Sequence, residues 1–490
     1  MKPPLILYAL VVFLCGAVTM CLEMVGSRIL APILGNSIYT WSALIGVVLI
    51  GLSIGGCLGG ILIDKRARVR DLLLALVLGA IFIAMTPLLR ALIESSGEVK
   101  GSAILVSGIL FFVPCLFLGA ISPMSVKLAA NAVGGEKFGL CAGVVSMAGS
   151  LGSFIGVVIP PFLLIPNFGL NNIIVALALI HLGVGGMLYF VERSDQKRFA
   201  ILLGVGLGCI LLLTFVGRFA TQGLSQEAAL YEKATPYHLV QVFDEDDSTR
   251  SLRLDTTMEG SVNFESEQLP LKYQNQWRLV LDRDTPVRRA LCIGAGAFGV
   301  PRELARQFPD AAIEVSEIDP EVVRVGYDFF QIGDFPNISA KAADGRQYLR
   351  DLDDSVKYDF VFLDAYNGIR YIPPHLATVE FFEELDDHLS EDALIVANVI
   401  SAVDGEYSQL LWSFVRTLRE VYPDVRIYPI YGKSGSYSQN VIMTATRSAV
   451  EFLPDSKRVA TPAILEKFGH LLTDEHNRVE YLVAQQLKAF

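Results

Sequence analysis

Seven runs of apolar residues, each about 20 residues long, dominate the first 217 residues of the chain. A helix needs about 20 consecutive apolar residues to cross the hydrocarbon core of a bilayer. The mean hydropathy of +0.46 is too high for a soluble globular protein and too low for a membrane bundle alone. We therefore predict a multi-span α-helical membrane domain over residues 1–218, joined to a more polar second half. The predicted spans are 5–27, 41–63, 71–93, 102–122, 138–160, 171–191 and 199–217.

Small residues recur in the second predicted span. In lipid, small residues that share a helix face let two helix backbones approach closely, and this close packing holds the helices together. We therefore expect these glycines to pack against a neighbouring helix rather than to serve a transport function. The glycines are Gly51, Gly55, Gly56, Gly59 and Gly60.

Lysine and arginine are concentrated in the loops after the second, fourth and sixth predicted spans. Such loops usually face the cytoplasm, here together with Lys2. Seven crossings would then place residue 218 onward outside the cell, whereas a fifth span made re-entrant by Pro160 and Pro161 would place it in the cytoplasm. The pattern predicts a multi-pass protein of the cell (inner) membrane and leaves the side of the second half open. The basic residues are Lys65, Arg66, Arg68, Arg70, Lys127, Lys137, Arg193, Lys197 and Arg198.

Charged residues become frequent in the second half, and the net charge of the chain is −11. An acidic protein lacks the basic face that nucleic-acid binding needs, so we expect no nucleic-acid partner. The seven cysteines form no CxxC or Cys/His pattern, and we predict no metal site. Residues 219–285 are predicted to form a connector and a small β-hairpin subdomain, because alternating stretches at 237–243 and 251–255 flank an acidic turn.

A glycine-rich turn introduces the next predicted domain, which is α/β and Rossmann-like and covers residues 286–490. A buried strand pattern runs directly into Gly294, Gly296 and Gly299, and a helix pattern follows. Glu317 ends the next strand, 21 positions after Gly296. In this strand–turn–helix setting, the glycines let the backbone approach a nucleoside cofactor, and the carboxylate accepts hydrogen bonds from the ribose hydroxyls. The motif therefore predicts nucleoside binding.

Acidic residues also follow the third and fourth predicted strands of this domain. Asp344 and Gly345 come after the third strand, and Asp364 comes after the fourth, followed closely by Tyr366 and Asn367. In open α/β sheets, ligands bind outside the carboxyl ends of the strands. We therefore expect the acids at the ends of strands two, three and four to converge on one crevice.

These residues resemble the spermidine synthase (polyamine aminopropyltransferase) family, and in particular its membrane-bound bacterial members. The resemblance covers about residues 236–445. It implies that the glycine turn and Gly345 contact the nucleoside part of an S-adenosylmethionine-type donor. It also implies that Glu317 binds the ribose, Asp344 binds the adenine, and Asp364 is catalytic.

The acceptor side of the resemblance is less complete. Tyr237 lies where the family has a substrate-side tyrosine, and Tyr366 and Asn367 are the other candidate acceptor-binding residues. The family's aspartate for the aminopropyl amine is Ala297 here, and its second acid after the catalytic aspartate is Asn367. The strand at 394–399 lacks the Gln–Glu pair that binds a diamine. The resemblance therefore implies a preserved donor site and an altered acceptor pocket.

Three functions remain open on this reasoning. The first is a membrane-anchored transferase that moves an aminopropyl group from decarboxylated S-adenosylmethionine to an amine by direct displacement. The second is an S-adenosylmethionine-dependent methyltransferase with a membrane-associated acceptor, which Ala297 favours. The third is a transporter or sensor with a nucleoside-binding regulatory domain. The expected partners are a small-molecule amine or membrane-associated acceptor and the lipid bilayer, and a homodimer is a candidate state.

Overall fold

The structure is a computed structural model, and the chain in it divides into two compact units, Met1–Ala228 and Ala229–Phe490. Most of both units is described. The residues that the structure describes are 3–35, 37–96, 102–134, 137–191, 196–222, 229–255, 257–266, 269–275, 278, 287–366, 371–431, 438–447 and 461–487.

The first unit is helical throughout its described residues. Short π-helical turns at Gly108–Phe112 and Pro160–Leu164 join neighbouring helices into longer continuous ones. The helices are α1 (Pro3–Leu34), α2 (Ile38–Arg66), α3 (Val69–Ser96), α4 (Ala103–Ser107), α5 (Val113–Val133), α6 (Phe138–Ile159), α7 (Ile165–Asn167), α8 (Leu170–Val191) and α9 (Gln196–Gln222).

Seven helical stretches of the described chain are long and apolar enough to cross a membrane, which agrees with the predicted number of spans. The fifth of them, Phe138–Asn167, runs without a break for 30 residues. Pro160 and Pro161 lie in its π-helical turn, so the proline pair does not divide this stretch into the two short arms of a re-entrant segment.

Glycines bring the helices of the first unit into backbone contact, as expected for lipid-embedded packing. A Cβ atom placed on Gly55 would overlap the carbonyl oxygen of Leu116 in α5, and one on Gly59 would lie 2.7 Å from the Cα of Ala120. On α6, a Cβ on Gly152 would overlap the backbone of Phe13 in α1. Gly56, by contrast, faces open space with only an ordinary contact at 3.7 Å. One face of α2 is therefore the packing face.

The second unit begins with a four-stranded antiparallel sheet in the order β1-β2-β3-β4. Val240 and Val242 of β2 pair with Leu254 and Leu252 of β3 and are buried with them, as expected of a sheet with one covered face. The strands are β1 (Tyr231–Ala234), β2 (Leu239–Asp244), β3 (Thr249–Leu254) and β4 (Thr257–Asn263).

A seven-stranded sheet forms the centre of the second unit, in the order β10-β11-β9-β8-β5-β6-β7. β5 to β9 are parallel, and β10 and β11 run antiparallel at one edge. The predicted Rossmann-like fold after a helical membrane-type domain is confirmed. The strands are β5 (Arg289–Ile293), β6 (Ala312–Glu317), β7 (Ile338–Ala342), β8 (Tyr358–Leu363), β9 (Leu389–Ser401), β10 (Asp424–Pro429) and β11 (Gln439–Thr446).

Helices cover both faces of this sheet, so its central strands are buried on both sides. In β5, Leu291 and Ile293 belong to one apolar cluster, and Ala290 and Cys292 belong to the cluster on the opposite face. This double burial explains why the strand is a continuous apolar run in the sequence. The helices are α10 (Gly299–Gln307), α11 (Pro320–Phe329), α12 (Gly345–Arg350), α13 (Val379–Asp386), α14 (Gln409–Val421), α15 (Pro462–Phe468) and α16 (Val479–Leu487).

Candidate active site

A cavity of about 360 Å³ lies at the carboxyl ends of β5, β6 and β8. The chain passes from β5 to β6 and β7 on one side and then returns to β8 on the other, so this is the point where the strand order reverses. Residues of β4 and of the segment after it form another wall. The volume is in the usual range for small-molecule sites, about 300–1,000 Å³. The predicted site residues in its lining are Tyr237, Gly294, Gly296, Glu317, Asp344, Gly345, Asp364 and Tyr366.

The glycine turn after β5 needs glycine for reasons of conformation and space. Gly294 and Gly296 have φ angles of +91° and +48°, in the left-handed region that strains other residues. A Cβ atom on Gly294 would also overlap the carbonyl oxygen of Asp364. Gly299 has a different function: it begins α10, and a Cβ there would lie 3.0 Å from the Leu269 side chain. Two of the three glycines thus shape the cavity, and the third packs behind it.

Glu317 is the last residue of β6 and holds the glycine turn in place. Its Oε2 accepts a hydrogen bond of 3.0 Å from the N–H of Ala295, and its Oε1 accepts one of 3.0 Å from the N–H of Asp319. Burial raises the pKa of Glu317, and the two N–H groups act against that rise. A carboxylate has about four acceptor positions, so acceptor capacity remains for the hydroxyls of a ligand.

Asp344 lies at the cavity wall immediately before α12 and caps that helix. Its Oδ1 accepts hydrogen bonds from the N–H groups of Arg346 and Gln347, at 3.1 and 3.0 Å. Its Oδ2 lies 2.7 Å from Nε2 of His375. The bond to His375 lowers the pKa of Asp344. The neighbouring Gly345 has to be small, because a Cβ there would lie 2.5 Å from the side chain of Ile293.

Asp364 directly follows β8, and its carboxyl group lies in the cavity wall. Nδ2 of Asn398 donates a hydrogen bond of 2.9 Å to Oδ1, and the hydroxyl of Tyr273 forms a second hydrogen bond to the carboxyl group. Burial raises the pKa of Asp364 to about 6, although both hydrogen bonds lower it. A carboxyl group that titrates near neutral pH can accept a proton from a substrate and release it again.

A second amide orients Asn398. Nδ2 of Asn440 donates to Oδ1 of Asn398 at 3.2 Å, and this contact leaves the Asn398 amine to face Asp364. Asn440, Asn398, Asp364 and Tyr273 therefore form one chain of side-chain hydrogen bonds that joins β11, β9, the end of β8 and the segment after β4. The sequence analysis treated position 398 only as part of a strand that lacks the family's Gln–Glu pair, and the structure shows it as a partner of the candidate catalytic acid.

The predicted acceptor residues are placed differently from one another. The hydroxyl of Tyr366 donates to the carbonyl of Asn398 at 3.1 Å and accepts from the N–H of Ile400 at 2.8 Å, so it ties the loop after β8 to β9. Tyr237 lies in the turn before β2, lines the cavity and is 38% exposed. Asn367 lies outside the described residues. Contact of these residues with an acceptor stays a prediction.

The cavity residues that the sequence analysis missed include Glu259 in β4 and Tyr273 just after the small sheet. Neither belongs to a motif, and both come from the subdomain that precedes the glycine turn. The signal for Glu259 was a single acid in a strand that ends with buried residues, immediately before Gly260. Only the folding of the small sheet over the crevice brings Glu259 and Tyr273 to the site.

The second unit is a Rossmann-like α/β domain with a cavity at the carboxyl ends of its strands and the carboxyl group of Asp364 beside that cavity. Residues 278–446 match the family described as "Spermine/spermidine synthase domain". The resemblance stated from the sequence is confirmed.

Two curated relatives, both polyamine aminopropyltransferases, are similar to part of the chain. The chain is 35% identical over 149 residues to the polyamine aminopropyltransferase of Vibrio vulnificus, which is 30% of this chain and 48% of the relative. It is 30% identical over 184 residues to the polyamine aminopropyltransferase of Chromobacterium violaceum, which is 36% of this chain and 66% of the relative. The chain thus spans about half to two thirds of the length of these two relatives.

Solved structures of similar proteins include a probable spermidine synthase from Corynebacterium glutamicum and the spermidine synthase of Thermotoga maritima. The first has a TM-score of 0.40 and 18% identity, and covers 53% of this chain and 93% of its own. The second has a TM-score of 0.38 and 18% identity, and covers 54% of this chain and 88% of its own.

Proposed function

We propose that the second unit transfers an aminopropyl group from a decarboxylated S-adenosylmethionine-type donor to an amine acceptor. The observation that carries this proposal is the position of Asp364 at the end of β8, in the same cavity as the glycine turn and Glu317. A nucleoside held by the glycine turn and Glu317 would present its sulfonium end toward the carboxyl group of Asp364. The match of residues 278–446 to the spermine/spermidine synthase domain supports the same assignment.

The proposed reaction is a displacement at the carbon bonded to the sulfonium sulfur. The acceptor ammonium first gives a proton to Asp364, which leaves a lone pair on its nitrogen. That nitrogen then forms the new C–N bond, the C–S bond breaks, and its electron pair stays on sulfur in methylthioadenosine. With a pKa of about 6, Asp364 is largely ionised at neutral pH and able to accept the proton. Because the leaving group is already cationic, alignment of the two reactants supplies much of the rate enhancement.

Product analysis tests this proposal directly. The full-length protein in detergent is incubated with a panel of diamines and either decarboxylated or intact S-adenosylmethionine, and the products are identified by mass spectrometry. Aminopropyl transfer yields methylthioadenosine from the decarboxylated donor, whereas methyl transfer would yield S-adenosylhomocysteine from the intact donor. We expect Asp364→Asn to abolish methylthioadenosine formation while it still binds methylthioadenosine, which would also exclude a passive sensor. Formation of S-adenosylhomocysteine alone would contradict the proposal.

We further propose that the first unit anchors the enzyme in the cell membrane as a multi-pass domain. The seven long apolar helices of the described chain and their glycine contacts support this. Alkaline washing of isolated membranes tests it, because an anchored chain stays in the pellet and a peripheral one is released. A reporter fused after Phe490 then tells which side of the membrane the second unit occupies.

A further inference from the structure

Residue 297 lacks access to the cavity. Ala297 is fully buried under β4, and a Cβ atom placed on Gly260 would lie 2.8 Å from its backbone nitrogen and 3.0 Å from its Cβ. Ala297 is also absent from the described lining of the cavity. The glycine turn is therefore packed tightly against β4 at this point, and position 297 supplies no group that could contact a ligand.

A carboxyl group enters the cavity from the facing strand instead. Glu259 directly precedes Gly260 in β4, and its carbonyl oxygen would lie 2.9 Å from a Cβ placed on Gly296. The side chain of Glu259 lines the cavity. Its Oε1 atom is shielded from solvent and has no hydrogen-bond partner among the described residues. Because a buried polar atom without a partner is costly, this group is expected to acquire one from a ligand.

Acidic groups surround Glu259 and would favour a cation beside it. Burial raises the pKa of Glu259 well above its usual value, and the charges of Asp364 at the end of β8, Glu317 at the end of β6 and Asp255 in the turn before β4 add to the rise. Tyr273 also lies near Glu259 and Asp364. Two other carboxyl groups of the cavity lining, those of Glu317 and Asp364, thus lie close enough to Glu259 to repel its charge.

The basic side chains of the described lining contact groups other than Glu259. Nδ1 of His238 lies 3.1 Å from Asp255, and Nε2 of His375 lies 2.7 Å from Asp344. Nζ of Lys272 lies over the ring of Tyr431, 5.6 Å from its centroid. None of these contacts gives Oε1 of Glu259 a cationic partner.

We propose that Glu259 binds the terminal ammonium group of the donor's propyl chain, in place of an acid in the glycine turn, and thereby selects donors that lack an α-carboxylate. This inference rests on the proposed function. An ammonium group would give Oε1 the partner that it lacks. An intact S-adenosylmethionine would instead bring a further carboxylate next to Glu259, Glu317 and Asp364, and like charges at short range disfavour binding.

Calorimetry with three ligands tests the inference on the full-length protein in detergent. Decarboxylated S-adenosylmethionine, intact S-adenosylmethionine and methylthioadenosine are titrated into wild type, Glu259→Gln, Glu259→Asp and Glu391→Gln. Glu391 is exposed on β9 and provides the same change of charge away from the cavity. We expect Glu259→Gln to lose affinity for the decarboxylated donor by about tenfold or more, as for a hydrogen bond to a charged group. Methylthioadenosine affinity should stay unchanged, and Glu391→Gln should behave as wild type.

The outcome depends on the ratio of the affinity for decarboxylated S-adenosylmethionine to the affinity for methylthioadenosine. Glu259→Gln should lose most of the preference for the decarboxylated donor over the intact one, whereas Glu259→Asp should keep part of it. The assignment is overturned if the ratio of the affinities for decarboxylated S-adenosylmethionine and methylthioadenosine in Glu259→Gln equals that of wild type, either because neither affinity falls or because both fall equally. If wild type binds no methylthioadenosine, the proposed function itself is wrong.

Discussion

The side-chain amide of Asn398 in β9 donates a hydrogen bond of 2.9 Å to Oδ1 of Asp364, which follows the neighbouring strand β8. Asn440 in β11 holds that amide in place from the other side. Two strands that follow Asp364 in the chain therefore help to orient the candidate catalytic carboxyl group and lower its pKa. Replacing this amide should change the pH dependence of the reaction more than it changes the fold.

We predict that Asn398→Leu moves the acidic limb of the pH–rate profile to higher pH. The hydrogen bond from Asn398 lowers the pKa of Asp364, which is about 6 with the bond in place. The ionised carboxyl group is the active form, so activity rises as the pH passes through this pKa. Without the bond the pKa is higher, and the rise comes later. Initial rates of methylthioadenosine formation between pH 5 and 8 measure the shift, and an unchanged limb would rule out Asp364 as the titrating group.

Gly294→Ala should damage the nucleoside site and the stability of the second unit together. The substitution places an alanine at a φ of +91° and pushes its Cβ into the carbonyl oxygen of Asp364. Strain and overlap together should cost at least about 2 kcal/mol. Gly333→Ala is the matched control, because a Cβ there meets only the Tyr327 ring at 3.7 Å. Gly294→Ala should have a lower melting temperature and a lower affinity for methylthioadenosine than Gly333→Ala. Equal values for the two variants would contradict the geometry of the turn.

Arg346 should be among the most sensitive charged residues of the second unit. Its side chain is 7% exposed and makes ion pairs of 2.7 Å with both Glu384 and Asp474. We expect Arg346→Met to destabilise the unit by about 1.5–3 kcal/mol, because it removes the hydrogen bonds of a buried guanidinium group to two carboxylates. Arg350 contacts the same Glu384 but is 53% exposed, so Arg350→Met should cost less than about 1 kcal/mol. Chemical denaturation measures the free energy of unfolding of both variants, and similar losses in the two would contradict this prediction.

In the first unit, two adjacent glycines provide a matched pair. Gly55→Ala would drive a methyl group into the backbone of Leu116, whereas the methyl group of Gly56→Ala would meet only an ordinary contact at 3.7 Å. Because close backbone contact holds membrane helices together, Gly55→Ala should lower the melting temperature in detergent, and Gly56→Ala should leave it nearly unchanged. A larger effect of Gly56→Ala would mean that α2 packs through a different face.

The sequence predicted those features of the second unit that depend on local pattern. The apolar run before Gly294 and the one before Asp364 became β5 and β8 with the expected ends, because a strand buried on both faces leaves a continuous apolar signature. The glycine turn was recognisable for the same local reason, since two of its positions require a positive φ. The number of apolar helices was also predicted, because bilayer thickness fixes their length.

Features that depend on tertiary contact were not predictable. Glu259 and Asp364 are far apart in the sequence, and they share a cavity only because the small sheet folds over the crevice. Nothing in the motif around Gly294 indicates that Ala297 is buried under Gly260. Likewise, a proline pair signals an interrupted helix in sequence terms, yet a π-helical turn carries the fifth apolar stretch past Pro160.

A labelled donor tests the central claim most directly. The full-length protein is supplied with decarboxylated S-adenosylmethionine that carries ¹³C and ¹⁵N in its propyl chain, together with an unlabelled diamine. We predict that the whole labelled aminopropyl group appears on the diamine, with one methylthioadenosine released per transfer, in wild type but not in Asp364→Asn. Label that stays on the donor, or methylthioadenosine released without transfer of the label, would contradict the account.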